Sequence, residues 1–132
     1  MGYDLIPRNK ELDDFHFGAF SWSWFILDEG AGLVLGYTMG HVRSAYLYNT
    51  KKRGGDLMCN DGARVTSLES RMLAQCAASI VMKYTEINKI NKDKTEHDFR
   101  NYGYIRPVRE DFIQKLKDFY EWALKSKGFK VI

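Results

Sequence analysis

Residues 13–25, DDFHFGAFSWSWF, gather the side chains in this chain best suited to holding a flat molecule. Six of the eleven residues from Phe15 to Phe25 are Phe or Trp, with His16, Gly18 and two serines between them. A histidine flanked by phenylalanines and followed by a Gly-Ala step makes a wall that a planar group can approach. Aromatic side chains stack on nucleic-acid bases for about 1–3 kcal/mol each. His16, Phe17 and Trp22 are therefore the candidates to line such a pocket. The same rings are also the most effective core fillers, and six of them exposed together would favour aggregation. The composition alone leaves both uses open, with most rings in the core and one or two lining a pocket as the middle course.

Two other stretches add cations. In CNDGARVT, Asn60, Asp61 and Gly62 make a tight turn, and Arg64 comes just before a helix start at Thr66. Free backbone N–H groups there, with Arg64 alongside and Arg71 a turn into the helix, could hold a phosphate. The plainer reading is a turn followed by a cap. In FRNYGYIRP, Arg100, Tyr102, Tyr104 and Arg106 alternate cations with rings. That pattern suits stacking with anion recognition, and it equally describes an edge strand.

The established catalytic signatures are missing. There is no GxxxxGK[ST] loop, no GxGxxG, no HExxH and no GxSxG. His16, His41 and His97 lie far apart without the i, i+3 or i+4 spacing of a ready metal face, so neither a metal site nor a cofactor is expected. Nothing beside Cys59 would activate a thiol. A small nucleotide hydrolase with His16 or His41 as general base is the weakest reading, because no positioned partner is visible.

The elements that would position these residues follow from periodicity. TSLE is a capping box, with Thr66 at the N-cap and Glu69 three residues on. Leu68, Met72, Cys76, Ile80 and Tyr84 then recur every fourth residue, flanked by Leu73, Ala77 and Val81, which predicts a buried helical stripe fading into a polar loop at 88–98. A second helix is predicted from Pro107, with Val108, Phe112, Leu116, Phe119 and Ala123 on one face and Gly128 as a left-handed cap. The aromatic block alternates to about Phe20, a strand signal. Helical spacing takes over from Trp24, so a third helix is predicted from about Ser21, as its cap, to Leu35. GGDLMCNDGARVT reads as a short strand or hairpin about the Asp61-Gly62 turn. The expected fold is a single mainly helical α+β domain over 1–132: three principal helices around one core, with short strands at the edges.

Bulk properties fit a soluble domain. Its 132 residues are 45% hydrophobic and 28% charged, enough to bury a core without staples. Two cysteines, Cys59 and Cys76, with no ligand-like spacing suit reduced thiols and a cytoplasmic setting. No secretory signal, myristoylation signal or membrane span is expected. Residues 1–42 carry two basic and six acidic groups, and residues 43–132 carry eighteen and eleven. This basic bias could serve an anionic ligand, but it is too sparse for a nucleic-acid partner.

The blocks MGYDL, FHFGAFSW and NDGARVT, with the ending DFIQKLKDFYEWALKSKGFKV, resemble a family of small bacteriophage and prophage proteins. The resemblance spans most of the chain in the same motif order and is weakest at 37–56 and 88–98. It brings no activity and no catalytic residue with it. It does imply a phage-type accessory protein in the host cytoplasm, where such proteins often act on host machinery or on defence, including by sequestering nucleotide signals. The leading expectation is a protein that binds, without turnover, a small anionic aromatic ligand such as a nucleotide. His16, Phe17 and Trp22 would meet its ring, and Arg64, Thr66 and Arg71 its phosphate. Asn60 and Asp61 would shape the turn, and Tyr104 and Arg106 would stand nearby. The alternative is a protein–protein interaction module for a host or phage protein, since Trp and Tyr beside Arg is also how hot spots are composed. The wide apolar helix faces make a homo-oligomer plausible.

Overall fold

The computed structural model describes residues 2–36 and 51–132. His41 lies outside the described residues. Alternation of apolar and polar side chains builds the sheet. β1 (Gly2–Pro7) pairs antiparallel with β2 (Phe15–Gly18) on one side, and on the other with β4 (Phe129–Val131), the last strand in the chain. β3 (Ala63–Val65) pairs with β4, giving the order β2-β1-β4-β3. Because successive side chains alternate faces, Leu5, Phe17, Ala63, Val65, Phe129 and Val131 all point into the core. Asp4, His16, Arg64 and Lys130 share the opposite face and are exposed.

The helices cover the inner face. After β2 the chain forms α1 (Ala19–Ser23), a π-helical turn (Trp24–Asp28) and a 3-10 turn (Ala31–Leu35). The predicted continuous helix is thus broken. Gly30 and Gly36, at φ of 76° and 72°, end the two turns, so no glycine has to be carried inside a longer helix. Ser21 is not its cap, since Gly18 precedes α1 and Ser21 lies within it.

α2 (Ser67–Asn91) opens on the predicted capping box: Glu69 N–H donates to Thr66 Oγ1 at 3.2 Å, and Thr66 N–H donates to Glu69 Oε1 at 3.0 Å. Its buried face is turned from the predicted one. Ser70, Leu73, Ala74, Ala77, Ile80 and Tyr84 are buried, whereas Leu68 is 61% exposed. Small residues let neighbouring backbone approach closely here, and Ser70 Oγ donates to Ala123 O at 2.9 Å.

A second capping box, Thr95 with Asp98, starts α3 (Glu96–Asn101), within the stretch predicted as a fading helix and loop. No strand forms in FRNYGYIRP. Asn88 instead clamps the peptide of Val108 with two 2.8 Å hydrogen bonds, and Asn91 Nδ2 donates to Ile105 O at 3.0 Å. These clips hold residues 105–108 against α2, so α4 (Glu110–Lys125) begins with Arg109 at its N-cap rather than at Pro107. α4 packs along α2 and buries Phe112, Ile113, Leu116, Phe119, Trp122 and Ala123. No helix among the described residues is long and apolar enough to cross a membrane.

Where α4 turns back into β4, Gly128 has φ +96°, and a Cβ built there would lie 2.6 Å from Val65 O. Gly128→Ala is therefore expected to destabilise by about 1–3 kcal/mol through the backbone conformation alone, with the clash adding to that. A shift of the urea midpoint checks this. An unchanged midpoint would show that the turn can rearrange freely.

Both sheet edges are closed by cations. His16 O accepts from Lys115 Nζ at 3.0 Å, and Arg64 O accepts from Arg53 Nη1 at 3.0 Å. Edge carbonyls occupied in this way are poor templates for pairing with another chain.

Candidate functional site

The opening block separates by face. Phe17 and Trp22 are fully buried: Phe17 packs against Phe15, Trp22, Phe25 and Phe119, and Trp22 Nε1 donates to Leu57 O at 2.8 Å. Neither ring has a face free for a ligand. His16 is exposed on the outer face, with Nδ1 2.8 Å from Asp4 Oδ1. Adjacent residues of a strand point opposite ways, so His16 and Phe17 cannot converge on one ligand.

The predicted phosphate residues lie elsewhere. Asn60 Nδ2 donates to Gly2 O at 2.7 Å, and the Asp61 carboxylate accepts from Asp56 N–H at 3.0 Å, so both tie down the turn. Thr66 and Glu69 satisfy each other at the head of α2, and Glu69 also receives Arg53 at 2.5 Å. Partial burial opposes ionisation of Glu69. The hydrogen bonds from Arg53 and Thr66 outweigh it and hold the carboxyl below its ordinary value. The chain's own carboxylate thus takes the place expected for a phosphate. Arg64 and Arg71 are exposed. Because β2 and β3 are opposite edges, three strand spacings separate His16 from Arg64, about 14 Å. Tyr104 and Arg106 belong to the α3 region: Lys94 Nζ sits 4.4 Å from the Tyr104 ring centre, and Arg106 pairs with Glu96 and lies over Phe99. The residues expected to form one site do not assemble into one.

A different set does converge. Phe20, Ser21, Trp24, Arg109, Asp111, Phe112 and Lys115 line an open pocket of about 270 Å³. Phe20 and Trp24 are four apart across α1 and the π-helical turn, so they share a face while Trp22 points the other way. The Trp24 indole stacks on Phe112 at 4.2 Å and 7°, and its N–H donates to Glu29 Oε1 at 3.2 Å. Glu29 in turn accepts from Lys83 Nζ at 2.6 Å and from the Tyr84 hydroxyl. Burial, with the hydrogen bond to Glu29 and its charge, pushes the Tyr84 phenol up to about 12, so it stays a proton donor. Phe20 stands edge-on to Trp24 at 5.8 Å and is 76% exposed.

Two cations and one carboxylate border these rings. Arg109 pairs with Asp111 at 2.6 Å, and Lys115, besides its bond to His16 O, sits 5.0 Å from the Phe15 ring centre. The lining offers ring faces and a net positive charge. Among its lining residues no nucleophile is paired with a base. Cys59 is remote from activation: desolvation and the carboxylates of Asp56 and Asp61 push its thiol up, opposite to what a nucleophilic cysteine needs. Among the described residues no three His, Cys, Asp or Glu side chains form a group that could hold a metal ion.

The sequence reading missed Phe20, Trp24, Arg109 and Lys115. The available signal was the i, i+4 spacing within FSWSW. Read with a period of two, that segment groups Trp22 with Phe20 and Trp24; read helically, it sets Trp22 apart. Compared with protein-family models, with curated proteins and with solved structures, the chain matches none.

Proposed function

We propose that the protein binds, without turnover, a small planar anion of nucleotide type in the Phe20–Trp24 pocket. The observation that carries this reading is the 76% exposed Phe20 ring beside a floor of stacked Trp24 and Phe112, with Lys115 and Arg109 at the rim. An exposed ring contiguous with further ring faces and rimmed by polar groups makes an apolar patch of the kind that marks a binding site. About 270 Å³ is near the lower limit for a small-molecule site. A base would fill it and leave the charged part of the ligand at the cationic rim. With the resemblance to bacteriophage proteins, such binding would serve to sequester a nucleotide signal of the host.

Thermal stability against a panel of mononucleotides and cyclic nucleotides tests this. A ligand at 100 times its dissociation constant should add about 2.7 kcal/mol. The shift should be lost in Phe20→Ala, which alters a mostly exposed ring and leaves the fold intact. Absence of a shift with every member of the panel would refute the reading. A second reading rests on the same exposure: Phe20 beside Arg109 has the composition of a protein hot spot. Retention of one defined host protein by the wild type, but not by Phe20→Ala, would favour it.

A further inference from the structure

We propose a second, independent anion site on the outer face of the sheet, formed by Arg8, Arg64 and Lys130 and suited to a multiply charged phosphoryl group. Arg64 and Lys130 are registered partners on β3 and β4, so their side chains leave the same face of the sheet, and the Arg64 guanidinium then lies over Gly54, where a Cβ would come within 3.0 Å of Nη1. Like charges placed directly opposite on neighbouring strands repel. Ile6 is the partner of Lys130 on β1, and Arg8, two residues on, follows just past the end of that strand. Three cations from three strand regions thereby border a groove of about 400 Å³ that also includes Val65, Thr66 and Phe129.

No carboxylate lines this groove, and among the described residues none pairs with Arg8, Arg64 or Lys130. The neighbouring acids are committed elsewhere: Glu69 to Arg53 and the Thr66 N–H, and Asp4 to His16. Uncompensated like charges gathered at a concavity are stabilised by an anion of matching charge. Guanidinium groups present paired N–H donors that fit phosphoryl oxygens, with the ammonium adding a point charge. The site is distinct from the Phe20 pocket, whose Lys115 reaches the opposite edge strand, β2.

Calorimetric titration with sodium pyrophosphate at low ionic strength tests the proposal, using the wild type, Lys130→Gln, the Arg64→Gln/Lys130→Gln pair and Phe20→Ala. Saturable binding is expected in the wild type and in Phe20→Ala. It should be weakened at least tenfold in the double variant and by an intermediate factor in Lys130→Gln. Binding should also fall as salt is raised. Without pyrophosphate, the double variant should melt no lower than the wild type, because a repulsion has been removed. Absence of saturable binding, or equal binding in the double variant, would overturn the proposal. So would a clearly lower melting temperature of the double variant, which would make these cations structural. An intact pyrophosphate response in Phe20→Ala, alongside lost nucleotide binding, would keep the two sites' fates separate.

Discussion

Replacing Phe119 by alanine is expected to destabilise the protein by about 3–5 kcal/mol, the range for a large buried aromatic. Phe119 is fully buried on α4 and meets rings from two strands and the π-helical turn. Its centroid lies 5.8 Å from Phe15 and 5.3 Å from Phe17 on β2, 5.4 Å from Phe25 on the π-helical turn, and 6.3 Å from Phe129 on β4. All four contacts are edge-to-face, a geometry that the ring quadrupole favours. A domain of this size is stable by about 5–15 kcal/mol in total, so the loss would take a large share. Urea denaturation with near-ultraviolet circular dichroism measures it. A loss under about 1 kcal/mol would be far below the range for a buried ring, and would mean that the rings do not form one interlocked core.

The second large effect is expected at the Arg53–Glu69 pair. Arg53 is only 6% exposed, and it donates to Glu69, to Leu35 O at 2.8 Å and to Arg64 O at 3.0 Å. Through it the 3-10 turn, β3 and the head of α2 are joined. Glu69→Ala would leave a buried guanidinium without its counter-charge and would also remove half of the capping box. Breaking one side of a buried ion pair costs about 3–5 kcal/mol. The same pair predicts a pH dependence. The folded-state pKa of Glu69 lies below the ordinary value of 4.5, so its contribution is fully present above that value and is lost as pH falls through the folded pKa. The wild type should therefore lose stability below about pH 4.5, and Glu69→Gln should flatten that part of the profile. Identical acid profiles for the two proteins would contradict the assignment.

The sequence carried the fold where local rules and tertiary packing agree. The Thr66–Glu69 box and the apolar face of α4 were legible because capping residues and large side chains at helical spacing both mark the buried surface. The face of α2 differs from the predicted one because its closest packing also uses Ser70 and Ala74, which a search for large apolar residues passes over. The start of α4 was misplaced for a different reason. Residues 105–108 take their conformation from Asn88 and Asn91 of α2, partners 14 and 20 positions away that no local window contains. Sheet order was equally hidden, since the last strand inserts between β1 and β3.

The candidate site was legible only as a region. DDFHFGAFSWSWF does supply its rings, but assigning them required knowing where the period changes from two to helical. The strand ends at Gly18, before the rings of interest, so Phe20 and Trp24 face out together while Phe17, Trp22 and Phe25 form core. Arg109 and Lys115 come from the far end of the chain. The packing of α4 on the π-helical turn and β2 brings them to the pocket.

Titration of intrinsic fluorescence reads ligand entry into the Phe20–Trp24 pocket. Trp22 and Trp122 are buried and Trp24 is half-buried against the pocket, so Trp24 is the reporter that a ligand in this pocket would reach. Saturable quenching by at least one mononucleotide or cyclic nucleotide is expected in the wild type. That quenching should be lost in Trp24→Phe, and its affinity should fall at least tenfold in Phe20→Ala. Quenching that persists unchanged in Trp24→Phe, or an affinity unaffected by Phe20→Ala, would contradict binding in this pocket.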